Sequence, residues 1–248
     1  ELEGNAGLLK KYVTVPDHNK AEIDFEWMGD KDQDQTYKRF CSFQMRWWKH
    51  AGAAYLLAFL DKFDLFKLGY VSADEIENFK DIVTTVNGTS NIFRFFDGAP
   101  DLKHKDDILP PVEFVAPYIE RAGFTIVTEA VYNDQNEYNY PFITEKIWRT
   151  ICHKKPFVLI GQINTLSAFR ELGYKTFSPY IDESYDEMDD SRRCFKAFDE
   201  AHKLIKMDAQ EFGQFLKECR STLSHNQKNF EKRLSKSYTF FNRLLAND

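Results

Sequence analysis

Glycine is scarce in this chain, at 11 of 248 residues, against roughly 7% in an average protein. A ligand site cradled by a glycine-rich loop is therefore not expected. No G-x-G-x-x-G or comparable turn follows any strand-like segment, which disfavours NAD- and SAM-binding readings. Cysteine is sparse too. Residues 41, 152, 194 and 219 have neither C-x-x-C spacing nor a neighbouring histidine pair, so they read as reduced, mostly buried thiols of a cytoplasmic protein. An excess of positive charge is missing: the net charge is −6, and no overall field draws the chain onto nucleic acid. No apolar run approaches the ~18 residues of a membrane span. The chain opens at Glu1, without a signal-like apolar segment, and targeting is not read from this end.

What is present is a globular composition, 43% hydrophobic and 29% charged, with 23 phenylalanines. Residues 1–36 are polar and weakly patterned, and are expected to be an extension or the remnant of an acceptor domain. Residues 37–248 are expected to form the main domain. Strands are expected at 39–43, 67–72, 124–128, 155–161 and 174–177. Helices are expected at 47–66, from Ser72 (with Glu75 as the third residue of a capping box), at 113–121, from Thr144, at 165–172, and almost continuously from 191. The last helix spaces Phe230, Leu234, Tyr238, Phe241 and Leu245 as an amphipathic stripe. Residues 84–111 hold many turn formers and read as a long loop. Strands separated by helices imply an α/β fold with a parallel sheet and a helical C-terminal tail.

In such a sheet, ligands bind beyond the carboxyl ends of the strands, where helix N-termini point their N–H groups. Two junctions there are polar: Thr128-Glu129, and the run from Asn139 to Lys146. Ile143, Ile147, Trp148 and Ile151 mark the buried face of the helix that follows. Lys146 therefore places a full positive charge in a first turn whose dipole is already positive, an arrangement that suits a bound phosphate. Glu145 could take ribose hydroxyls; alternatively, the pair is a solvated first turn.

The segment Phe142-Ile143-Thr144-Glu145-Lys146-Ile147-Trp148 resembles the (Y/F)-(V/I)-T-E-K element of fucosyltransferase-like GT-B glycosyltransferases. The ordered stretches 142–149, 156–161, 169–177 and 181–186 are similar to uncharacterised glycosyltransferase-like proteins of phages, large viruses and marine bacteria. Those proteins carry F-I-T-E-K-x-W, P-F-(I/V), L-R-x-L-G-(F/Y)-(K/R)-T-F and D-E-S-Y-D segments. The resemblance covers roughly residues 37–210. It implies a Rossmann-like sheet of the GT-B C-terminal type that binds a nucleotide-sugar donor without a metal or other cofactor. A glycan or another hydroxyl compound would be the acceptor. On this resemblance Thr144, Glu145 and Lys146 contact ribose and phosphate, Glu129 adds a polar contact at the same mouth, Asp182 and Glu183 line the next junction, and Arg46 faces the diphosphate. This chain departs from the family where Phe43-Gln44-Met45-Arg46 precedes His50-Ala51, since relatives have an N-R pair and then H-R.

Inverting transfer would need a general base, for which Asp17, His18, Asp30–Asp34 or a carboxylate in 97–107 are candidates. The acidic alternation Asp30, Asp32, Asp34 does not match an EF-hand, because Gln35 and Cys41 replace its glycine and glutamate; a solvated loop is expected. Basic clusters at Lys10-Lys11, Lys38-Arg39, Lys103 with Lys105 and His153-Lys154-Lys155 leave a nucleic-acid partner open, without net charge favouring it. A non-catalytic nucleotide- or glycan-binding module of the same fold is the alternative function.

Overall fold

The computed structural model describes residues 37–44, 51–73, 107–109, 115–132 and 140–245. Five parallel strands form one sheet: β1 (Lys38–Gln44), β2 (Gly69–Ala73), β3 (Ile108–Leu109), β4 (Ala122–Thr128) and β5 (Phe157–Ile160). Their spatial order is β3-β2-β1-β4-β5, with Phe40 beside Gly69 on one side and Phe124 on the other. The chain leaves β1 toward one edge and returns at β4 to build the other. The topological switch point of this Rossmann-like α/β sheet therefore lies between β1 and β4.

Strands buried on both faces read as near-continuous apolar runs, and every residue of β5 is buried. Among the described residues the helices are α1 (Ala51–Lys62), α2 (Ala116–Glu120), α3 (Glu145–Cys152), α4 (Thr165–Glu171), α5 (Asp190–Lys206) and α6 (Ala209–Leu245). Helix α1 is apolar on all sides from Ala53 to Leu60, and all of these residues are buried, as expected of a helix enclosed by neighbours. Phe59 stacks on Phe198 of α5 at 5.1 Å. Asp64 ends the helix region in the left-handed conformation, φ 56°, which Asp tolerates better than most residues.

Between α5 and α6 the helix restarts through a capping box. Glu211 N–H donates to Asp208 at 2.8 Å, and Asp208 N–H donates back to Glu211 at 3.3 Å. The Arg39 guanidinium of β1 donates to Met207 O at this joint and lies over the Phe212 ring, 4.4 Å from its centre. Gly123 makes the Phe212 contact possible, because a Cβ there would stand 2.5 Å from that ring. Further along α6, Phe230 stacks on Trp148 of α3 at 5.8 Å. Among the described residues, no helix is long and apolar enough to cross a membrane.

The expected α/β architecture with its helical C-terminal stretch holds, with local corrections. Ser72 is buried inside β2 rather than capping a helix, because the ladder with β1 runs on to Ala73; Glu75 lies outside the described residues. Residues 174–177 form no strand. The Asn226 amide takes both the N–H and the C=O of Lys175, at 2.7 and 2.8 Å, where a neighbouring strand would have bonded. Two residues of the expected long loop, Ile108 and Leu109, form edge strand β3. All four cysteines are free; Cys41, Cys194 and Cys219 are buried, and burial pushes the Cys41 thiol up to about 12. Residues 1–36 and most of 84–111 lie outside the described residues, and with them Asp17, His18, Asp30, Asp32 and Asp34.

Candidate functional site

Two strand ends meet at the switch point. Gln44, the last residue of β1, is buried and accepts from the Thr128 hydroxyl of β4 at 2.6 Å. Its amide nitrogen donates to Ser42 at 2.6 Å, and Ser42 donates to Ile126 O at 2.7 Å. This chain of bonds fixes the floor of the crevice and leaves none of the three side chains to pack against apolar groups unpaired.

The segment entering α3 crosses above the ends of β4 and β5 and is tied down twice. Phe142 N–H donates to the Gln162 side chain, just after β5, at 2.8 Å. Thr144 N–H donates to Glu129, just after β4, at 3.2 Å, and the Thr144 hydroxyl donates to the other oxygen of the same carboxylate. Thr144 has extended backbone and accepts from Lys146 N–H at 3.5 Å, the geometry of an N-cap. The spacing of apolar residues dictates the rest. Ile147 and Ile151 are buried with Thr150, so Glu145 is turned outward and Lys146 stands half-buried between the two environments.

Glu129 is only 1% exposed. Burial raises its pKa; the Thr144 bonds and the nearby Lys146 charge oppose the shift, and Glu145 adds to it. Glu129 thus supports the cap from beneath, where the sequence suggested a contact at the open mouth. The structure brings Glu129, Thr144, Glu145 and Lys146 together. Arg46 lies outside the described residues.

Asp182 and Glu183 are engaged elsewhere. Glu183 is largely buried and accepts from Thr176 at 2.6 Å, Phe177 N–H at 2.7 Å and Arg170 at 3.0 Å; burial raises its pKa. Asp182 pairs with Lys196 at 2.9 Å and caps the short 3-10 turn Glu183–Glu187 through Ser184. The Lys196 bond, with that from Ser184, holds its carboxyl below the usual range. No described hydrogen bond or ion pair links either residue to 144–146. The neighbouring helix start, that of α4, is filled by the protein's own carboxylate: Asp186 accepts from Leu166 N–H at 2.8 Å and Ser167 N–H at 2.9 Å. Of the two helix starts beside β4 and β5, that of α3 is the one whose first turn carries a lysine, Lys146, next to Glu145.

Three features went unread in the sequence. Gln44 and Gln162 form the floor and tether. Phe142 and Tyr140 are exposed, 52% and 70%, on the segment beside the α3 start. Arg193, 1% exposed, donates to Gly161 O at 2.9 Å, to Tyr132 O at 3.0 Å and to Met188 O, joining the segments that follow β4 and β5. A signal for Arg193 existed: it shares a helical stripe with Ala197, Ala201 and Leu204, where a charge needs buried partners.

No family model matches the chain, and no curated protein matches it. Among solved structures, it is similar to the N-terminal domain of trehalose-6-phosphate phosphatase from Candida albicans, at 12% identity and a TM-score of 0.39. The alignment covers 99% of this chain and 44% of that one, so the chain spans less than half the length of that structure.

Proposed function

We propose that the chain is a nucleotide-sugar-dependent glycosyltransferase whose donor diphosphate sits at the start of α3. The observation that carries this reading is the α3 mouth itself. A helix N-terminus capped by Thr144 stands beside the switch point, with Lys146 half-buried in its first turn and Glu145 exposed next to it. Oriented N–H groups and a lysine neutralise charge that develops on a leaving diphosphate, and they need no reorganisation to do so. Glu145 is free to accept from ribose hydroxyls, and the exposed Phe142 ring offers a face for a base. In the reaction the bond from the anomeric carbon to the diphosphate oxygen breaks and a bond to the acceptor oxygen forms. The acceptor proton leaves to a base, and the diphosphate departs with the bonding electrons.

The second reading, a nucleotide- or glycan-binding module without turnover, is favoured by one feature. Glu129 and Glu183, two carboxylates expected at the donor site, are both bound internally. Release of nucleoside diphosphate from a panel of UDP, GDP, CDP and dTDP sugars separates the two. Turnover with any donor supports the transferase, and binding without turnover supports the module.

A further inference from the structure

Helix α6 runs for 37 residues, about 55 Å at the α-helical rise. It carries seven Lys or Arg against three Glu, in a chain whose net charge is −6. Its inward face is set by Phe212, Phe215, Cys219, Asn226 and Phe230, all buried. At 3.6 residues per turn, Lys217, Arg220, Lys228 and Lys232 fall on the opposite side, within an arc of about 120°, and run along about 22 Å of the axis. All four are exposed, and no described ion pair engages any of them. Ser221, Ser224 and Ser235 lie on the same side. Glu231 falls within the same arc, as the one acidic residue among the four basic ones, and Glu218, bonded to Gln214 at 2.6 Å, flanks it.

We propose that this face of α6 is a docking surface for the phosphate backbone of a nucleic acid. Lysine, arginine and serine are among the side chains that contact phosphate, and a predominantly cationic stripe along a helix matches a linear polyanion. A membrane surface is disfavoured because the stripe has no exposed aromatic or aliphatic side chain to enter the interface. Two of the basic clusters that stand out in the sequence are partly spent inside the fold, and Lys10-Lys11 and Lys103 with Lys105 lie outside the described residues. Lys155 is buried and donates to Glu120 O, and Arg39 is spent on Met207 and Phe212. The inference is independent of the donor site, and either can fail alone.

The test is fluorescence anisotropy of a short labelled DNA duplex of arbitrary sequence, titrated with the full chain at several salt concentrations. Four phosphate contacts give a log–log salt slope of about −3.6. The quadruple variant K217Q/R220Q/K228Q/K232Q is expected to lose binding by at least about tenfold at low salt and to flatten the slope. A control that removes the same charge elsewhere, K62Q/K154Q/K175Q/K206Q, is expected to keep the wild-type slope. If circular dichroism shows that the quadruple variant has lost helix, the pairs K217Q/R220Q and K228Q/K232Q replace it, each removing about half the slope. No duplex binding by wild type, equal loss in the control, or binding to anionic lipid vesicles without binding to duplex each overturns the proposal.

Discussion

One carboxylate, that of Glu129, receives both hydrogen bonds that Thr144 can give, from its backbone N–H and from its hydroxyl. A buried side chain at the end of β4 thereby fixes where α3 begins. The helix could have started a residue earlier or later on propensity alone. Held by Glu129, it starts with Glu145 and Lys146 in its first turn.

Glu129 makes stability depend on pH in a definite direction. Its folded pKa is raised above the ordinary 4.5, first by burial. Its contribution is therefore fully present below the unfolded pKa and is lost as pH rises through the folded value. Glu129→Gln keeps an acceptor for Thr144 N–H and removes the charge. Melting temperatures measured from pH 4 upward should show the variant gaining on wild type as pH rises. A constant difference across that range would contradict the assignment.

Arg193 holds three backbone carbonyls that follow β4 and β5 or end the 3-10 turn. Arg193→Met retains much of the side-chain length but leaves those acceptors unanswered, at about 1–3 kcal/mol for each that stays buried. Urea denaturation should show a loss of several kcal/mol, on the order of 3 or more. A loss below about 1 kcal/mol would mean that water replaces the guanidinium and that the clamp is not structural.

The joint between sheet and tail can be tested at Gly123, where an added Cβ would stand 2.5 Å from the Phe212 ring and 2.9 Å from Arg39 O. Overpacking of this kind costs about 1–3 kcal/mol. Gly123→Ala should be partly rescued by Phe212→Leu, so that the double variant is less destabilised than the sum of the singles. Strict additivity would show that the two residues do not meet.

The sheet and most helices were legible because their signals are local. Apolar runs at 124–128 and 157–160 and the stripe of α3 need nothing beyond periodicity, and the helix expected from Thr144 starts there. The corrections come from distant partners. Ser72 looks like a cap until the register with Gln44 and Ala73 carries β2 past it. Residues 174–177 have strand composition, yet Asn226, 51 positions away in sequence, takes the bonds a strand would use. At the site, the approach of Glu129 to Thr144 could not be read either, because both face the same mouth in sequence terms. Only packing decides that one lies beneath the other. The bonds of Glu183 are unreadable for the same reason: its partners Arg170, Thr176 and Phe177 close a turn that sequence cannot fold.

The central claim is that the α3 start binds the diphosphate of a nucleotide sugar through Lys146. The most direct measurement is isothermal titration of wild type and Lys146→Ala with UDP, GDP, CDP and dTDP and their sugars. A charge-assisted contact is worth about 1.5–3 kcal/mol, so one nucleotide should bind wild type and bind the variant about 10–100-fold more weakly. Failure of every nucleotide to bind wild type, or equal affinity for both proteins, would contradict the account.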